Sequence, residues 1–191
     1  MIALLPAISL LPTVSVAHPY SPPPGSGVLL IALLRKLPTL TGIGVDISPA
    51  ALAVAQSNAV ENNMASRCSF ELGKFADRVG TCDLVLCNPP YHLVGKFDVG
   101  PSSKSRKADP VIALFGTGVD GYDAYRELRG GLESVRVGGW AVVEVPTEAA
   151  VEVLLAAIGE EWVVVERVLV ANGKERGILR AIIVVREPSN S

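Results

Sequence analysis

Leu84-Val85-Leu86-Cys87-Asn88-Pro89-Pro90-Tyr91 is the stretch on which the reading of this chain turns. Its four leading apolar residues read as a buried strand. Two prolines follow an asparagine directly, and each fixes its φ and removes a backbone donor. The expected product is a rigid, acceptor-rich turn at the carboxyl end of a strand, with an amide at its front and an aromatic at its back. In open α/β sheets ligands bind at that edge. Asn88, Pro89, Pro90 and Tyr91 are therefore candidate binding residues. The turn suits a planar NH2 group, because everything it offers accepts hydrogen bonds or stacks.

Upstream, residues 42–46 read as a short strand ending in Asp46. Ser48 is a good N-cap and Pro49 fits the first helical position. The helix expected over 50–62 puts Leu52, Ala55 and Ala59 on one face. Gly25-Ser26-Gly27 leads into a predicted helix, Val28–Lys36, with Arg35 and Lys36 in its last turn. Residues 18–24 are proline-rich and fit neither regular helix nor central strand. Residues 1–17 are apolar but lack a basic n-region, and Pro6 and Pro12 interrupt them. They are too short and too broken for a membrane span. The chain thus divides into an atypical segment, 1–24, and a domain, 25–191.

Downstream, strands are expected at Cys68–Leu72 and at 83–87. Residues 92–110 hold glycine, serine and proline with Lys96, Lys104, Arg106 and Lys107, and read as a long, solvated loop. A helix is expected over 122–135, weakened by Gly130-Gly131. Gly138-Gly139 precedes a strand over 140–145, and a helix follows over 147–158. Trp162–Val170 and 177–185 are β-branched runs around Ala171-Asn172-Gly173-Lys174, an expected antiparallel pair. Strand and helix alternate and a hairpin closes the chain. The predicted fold is α/β and Rossmann-like, mostly parallel with one antiparallel strand near the C-terminal end, helices covering both faces.

Composition narrows the function. The chain has 191 residues, 49% of them apolar, and a formal net charge of -2. One domain with a sizeable core is expected, and bulk charge alone argues against a disordered or strongly nucleic-acid-steering protein. Three cysteines, Cys68, Cys82 and Cys87, sit in or beside apolar runs without Cys-x-x-Cys spacing. They read as buried free thiols in a reducing compartment. With His18 and His92 as the two histidines, no metal site is expected.

Two further features carry chemistry. Gly25-Ser26-Gly27 before a helix lets the backbone approach a ligand closely, with helix amides facing an anionic group. Asp46 at a strand end can accept two hydrogen bonds from ribose hydroxyls. It can equally cap the turn before Ser48, and taken singly the two readings stand even. The glycine turn and Asn88 favour the nucleoside.

Residues 42–52, then Asn58, then residues 83–91 resemble a class I S-adenosylmethionine-dependent methyltransferase. Within that class they are similar to the HemK-like protein-(glutamine-N5) methyltransferases, which modify the Gly-Gly-Gln motif of peptide chain release factors. Residues 109–116 and 120–126, Gly138-Gly139-Trp140 and the late Gly173-Lys174-Glu175-Arg176 match in kind. The resemblance runs from about Gly25 to the end. It implies that Gly25, Ser26 and Gly27 lie against S-adenosylmethionine and that Asp46 holds its ribose. It implies that Asn88 touches cofactor and substrate. The Asn88 side-chain oxygen and the Pro89 carbonyl would accept the two hydrogens of the target amide, with Tyr91 against its plane. Asn88, Pro89 and Tyr91 are the implied catalytic residues. A release factor is the implied protein partner, with nucleic acid as the alternative substrate of an adenine-N6 methyltransferase. A monomer is expected, with no membrane partner, inside the cell in cytoplasm or mitochondrion.

Three departures from the family pattern accompany the likeness. Ser21-Pro22-Pro23-Pro24 stands where the family has a strand ending in an acid, so the prolines are expected to disrupt the central first strand and weaken cofactor binding. A catalytically impaired remnant of the fold is the matching alternative. Gly73-Lys74-Phe75 replaces the acid expected near the adenine, with Glu71 or Asp77 as substitutes. The chain also has no room for the N-terminal helical substrate domain of bacterial members. It is expected to be a truncated or misassembled product, or to rely on another protein for docking.

Overall fold

The computed structural model describes residues 13–18, 26–77, 80–93, 114–170 and 178–188, with residues 13–18, 170 and 178–180 described by their backbone. In chain order the elements are β1 (Thr13–His18), α1 (Val28–Lys36), β2 (Thr41–Asp46), α2 (Pro49–Glu61), β3 (Cys68–Leu72), β4 (Cys82–Cys87), α3 (Asp123–Leu132), β5 (Val135–Glu144), α4 (Glu148–Ile158), β6 (Trp162–Val170) and β7 (Ile178–Arg186). A 3-10 turn, Phe75–Asp77, precedes β4.

The strands form one sheet in the order β3-β2-β1-β4-β5-β7-β6. The pairs β1–β2, β1–β4, β2–β3 and β4–β5 are parallel. β7 runs antiparallel to both β5 and β6. The expected fold class, mostly parallel with one antiparallel strand near the C-terminal end, is the one that forms.

Two apolar layers hold the sheet. Along β4, alternate side chains point to opposite faces. Leu84 and Leu86 join the layer under α1 with Leu30, Ile31 and Leu34. Val85 and Cys87 join the layer under α3 and α4 with Tyr125, Leu128, Leu132, Val151 and Leu154. Such a strand reads as a continuous apolar run because both faces are covered. Leu84 and Val85 are fully buried, and each contributes about 1.5–3 kcal/mol by burial.

The largest correction concerns the centre of the sheet. β1 comes from Thr13–His18, inside the stretch that the sequence set apart, and pairs with β2 on one side and β4 on the other. The prolines at 22–24 follow that strand in sequence instead of interrupting it, and they lie outside the described residues. Smaller corrections follow from packing. α3 ends at Leu132, not at Val135, and Val135 opens β5 opposite Cys82. β5 is longer than expected, and its pairing with β4 shifts register between Cys82 and Leu84. Gly131 does not merely weaken α3: a Cβ there would overlap the Phe75 ring, so glycine lets the helix close on the 3-10 turn. In α2 the buried positions are Ala51, Ala55 and Ala59, and Leu52 is half-buried.

Candidate active site

Asp46 and Asn88 meet through topology. β2 and β4 flank β1, with Asp46 opposite His18 and Cys87 opposite Ala17. Asp46 and Cys87 are thus two strand spacings apart, about 10 Å at roughly 4.8 Å each. The chain crosses to β2 on one side of β1 and to β4 on the other, which makes this edge the topological switch point.

The α1 side of the crevice begins at Gly27. This residue sits at φ 67 as N-cap of α1, without a side-chain cap. A Cβ there would come within 3.2 Å of the Ala55 methyl and the Phe70 ring, so both backbone twist and space favour glycine. Asn58 in α2 donates from Nδ2 to the Ser26 carbonyl at 2.8 Å and fixes the approach to that turn. Gly25 lies outside the described residues, as does the basic loop beyond Leu93.

Asp46 resolves, atom by atom, the two readings that its sequence left even. Oδ1 accepts from the Ser48 backbone N–H at 2.7 Å and caps the turn. Ser48 in turn caps α2, accepting from the Ala51 N–H at 3.3 Å. Oδ2 is buried with no hydrogen-bond partner among the described residues. The residue is 2% exposed, and burial pushes its carboxyl up to about 6 against the hydrogen bonds from Ser48 and Ile47. A buried acceptor left unpaired is costly. A diol donating to Oδ2 would relieve that cost, so the residues present fit the ribose of S-adenosylmethionine. Of the two proposed substitutes for the missing acid near the adenine, Glu71 and Asp77 are both exposed.

On the other side of the switch point, Asn88 is exposed at the end of β4, while Pro89 and Pro90 are buried. The prolines turn the chain into the body of the protein and leave the amide outside. Tyr91 is half-buried, and its hydroxyl donates to Glu144 Oε1 at 3.0 Å. His92 then pairs with the segment around Phe115, through His92 N–H to the Leu114 carbonyl at 2.9 Å and Gly116 N–H to the His92 carbonyl at 3.0 Å. Arg126 donates to both oxygens of Asp120 and to Asp123, and its bond holds the Asp120 carboxyl well below the usual carboxylate range. Tyr122 and Thr147 share a hydroxyl bond of 2.9 Å.

Cys87, directly before the turn, is not a reactive thiol: burial first, then the Glu144 carboxylate, push it far above its ordinary value. All three cysteines are buried and free, as expected. Glu144, which bonds the Tyr91 hydroxyl, and Tyr125, which bonds the Glu144 carbonyl, were missed from sequence. Glu144 carries the same signal as Asp46, an acid closing an apolar strand, and that signal could have found it.

Both the sequence and the fold have counterparts among known proteins. Residues 23–100 match the methyltransferase small domain family. The release factor glutamine methyltransferase of Bradyrhizobium diazoefficiens is 39% identical over 138 residues, 70% of this chain and 46% of that protein. That of Caulobacter vibrioides is 38% identical over 140 residues, 71% of this chain and 48% of that protein. The chain thus spans about half the length of these curated relatives. Among solved structures, TrmN from Thermus thermophilus superposes with TM-score 0.65 at 19% identity, covering 97% of this chain and 47% of that one. Magnesium protoporphyrin IX methyltransferase from Synechocystis, solved with bound S-adenosylmethionine, gives 0.62 at 18% identity, covering 97% and 76%. The chain is similar, over about half their length, to release factor glutamine methyltransferases of bacteria, and it shares the fold of the class I S-adenosylmethionine-dependent methyltransferases.

Proposed function

We propose that this chain binds S-adenosylmethionine and methylates a side-chain amide nitrogen, that of a glutamine in a peptide chain release factor. The observation that carries the reading is the pairing, across one switch point, of a buried carboxylate, Asp46, whose Oδ2 has no partner among the described residues, and an outward amide on a proline-locked turn, Asn88. Asp46 Oδ2 would accept from the ribose, with Gly27 and the start of α1 against the rest of the cofactor. The bound cofactor supplies an electrophilic methyl group on a sulfonium.

Asn88 and Pro89 do the work on the acceptor. An amide nitrogen is a poor nucleophile because its lone pair is delocalised. The Asn88 side-chain oxygen and the Pro89 carbonyl would take its two hydrogens, orient the lone pair and stabilise the positive charge that grows during attack. The nitrogen can lose its proton after transfer, so no strong base is needed beforehand. Tyr91 walls the planar group from behind. The three free thiols are in keeping with a reducing, intracellular compartment.

The test is transfer of a labelled methyl group from S-adenosylmethionine to a release factor, run beside an adenine-containing oligonucleotide. Label on the release factor glutamine, lost at least a hundredfold in Asn88→Ala with saturating cofactor, is the expected result. Label on the oligonucleotide alone would replace glutamine with adenine as the target. Normal turnover in Asn88→Ala would remove the basis of the mechanism. Absence of calorimetric binding of S-adenosylmethionine to the folded chain would sink the reading as a whole.

A further inference from the structure

We propose that Glu144 is a positioning residue for the acceptor side of the site: through Tyr91 it holds the Asn88-Pro89-Pro90-Tyr91 turn in its working shape. The inference rests on the reading of that turn as the amide-gripping element. Glu144 closes β5, one residue beyond the register pair Cys87–Val143, so it stands beside Asn88 at the carboxyl edge of the sheet. Its carboxylate accepts from the Tyr91 hydroxyl at 3.0 Å. Its backbone carbonyl accepts from the Tyr125 hydroxyl at 2.9 Å. On the other side its strand pairs with β7, with Glu144 opposite Ala181.

These contacts have different consequences. Tyr125 is fully buried in the layer under α3 and α4. Its bond goes to the backbone of Glu144, so a side-chain substitution leaves that anchor in place. The carboxylate itself points back to Tyr91, across the turn that it steadies. Prolines fix φ at positions 89 and 90 but leave the exit of the turn to Tyr91. A charge-assisted hydrogen bond at that exit limits the movement of the Tyr91 ring. Glu144 therefore acts through Tyr91 and needs no contact with substrate.

The test separates this role from the proposed reaction. Protein carrying 3-fluorotyrosine gives a 19F resonance for Tyr91, assigned by Tyr91→Phe. In Glu144→Gln, which keeps an acceptor at the same reach, that resonance stays in place. In Glu144→Ala it shifts or broadens. In parallel, kcat/KM for the release factor falls about tenfold in Glu144→Ala and in Tyr91→Phe, and no further in the double variant, while Glu144→Gln stays within about threefold of wild type. The dissociation constant of S-adenosylmethionine is unchanged throughout. An unmoved Tyr91 resonance in Glu144→Ala overturns the proposal whether or not any methyl transfer is seen. Full activity of Glu144→Ala in an active protein, or losses that multiply in the double variant, overturns it as well. An inactive wild type would count against the proposed function alone, because the resonance still reports the tether.

Discussion

Replacing Asp46 with asparagine probes the cofactor side through stability as well as binding. The carboxyl is 2% exposed and sits at about 6 instead of 3.8, with burial as the leading cause. A folded value above the unfolded one means that the native state holds the proton more tightly. Its stabilising contribution is complete below about pH 4 and is lost as the pH rises through about 6. At pH 7.5 the ionised, buried carboxylate costs the ligand-free protein at most about 3 kcal/mol. The substituted amide would be neutral at every pH. Its oxygen would keep the bond from the Ser48 N–H, while its NH2 group would have no acceptor, returning about 1 kcal/mol of the gain. Asp46→Asn should therefore stabilise the free protein by about 1–2 kcal/mol at pH 7.5 and by about 0.5 kcal/mol at pH 5, where roughly half of the cost has set in. The same change should weaken S-adenosylmethionine binding at least tenfold, because a charged acceptor for ribose hydroxyls is gone. Urea denaturation from pH 5 to 8, with calorimetric titration of the cofactor, checks both arms. A free variant no more stable than wild type at pH 7.5, with equal cofactor affinity, would refute the assignment of Oδ2 as an acceptor kept for a ligand.

Three other substitutions test the supports of the site. Asn58→Ala removes the 2.8 Å bond to the Ser26 carbonyl; it should cost about 1 kcal/mol in urea unfolding and raise the dissociation constant of S-adenosylmethionine several-fold, leaving KM for the release factor unchanged. Gly131→Ala places a methyl group in the Phe75 ring, and a lower urea midpoint corresponding to about 1–3 kcal/mol is expected. Ser48→Ala strips the N-cap of α2; thermal unfolding should show a loss of about 1 kcal/mol, with a further loss of cofactor affinity because the Asp46 turn loosens.

Much of the fold was legible because local signals and the global sheet agree. Ser48 with Pro49, Thr147 before α4, and the cations in the last turn of α1 mark helix ends by chemistry that acts within a few residues. Cys68–Leu72 and Trp162–Val170 were placed by their apolar or β-branched runs. β1 was not legible, for a physical reason. Thr13-Val14-Ser15-Val16-Ala17-His18 alternates weakly and has Pro12 and Pro19 on either side in sequence. Its ladder is supplied by β2 and β4, which lie far along the chain. Strand preference of that kind is decided by neighbours in the sheet, not by the segment itself. The end of α3 was misjudged similarly, because Val135 is drawn into β5 by pairing with Cys82, far along the chain.

The two halves of the candidate site were legible to different degrees, and the difference follows from how each half is built. The acceptor turn is continuous, since proline fixes its own φ and the shape of Asn88-Pro89-Pro90-Tyr91 is largely written into four adjacent residues. What steadies that turn, Glu144 through Tyr91, comes from a later element and becomes visible only with the β4–β5 register in place. The donor side depends on separate pieces: a glycine N-cap at φ 67, an α2 amide bonded to the turn before it, and a carboxylate at the end of β2. Three prolines in the preceding sequence suggested damage to that side. With Thr13–His18 filling the centre of the sheet, Asp46 keeps its place opposite the end of β1, and its second oxygen remains unpartnered among the described residues. A buried acid whose second oxygen has no partner among the described residues, at the position where a ribose would satisfy it, is the physical reason to favour a working methyl donor site over an empty fold.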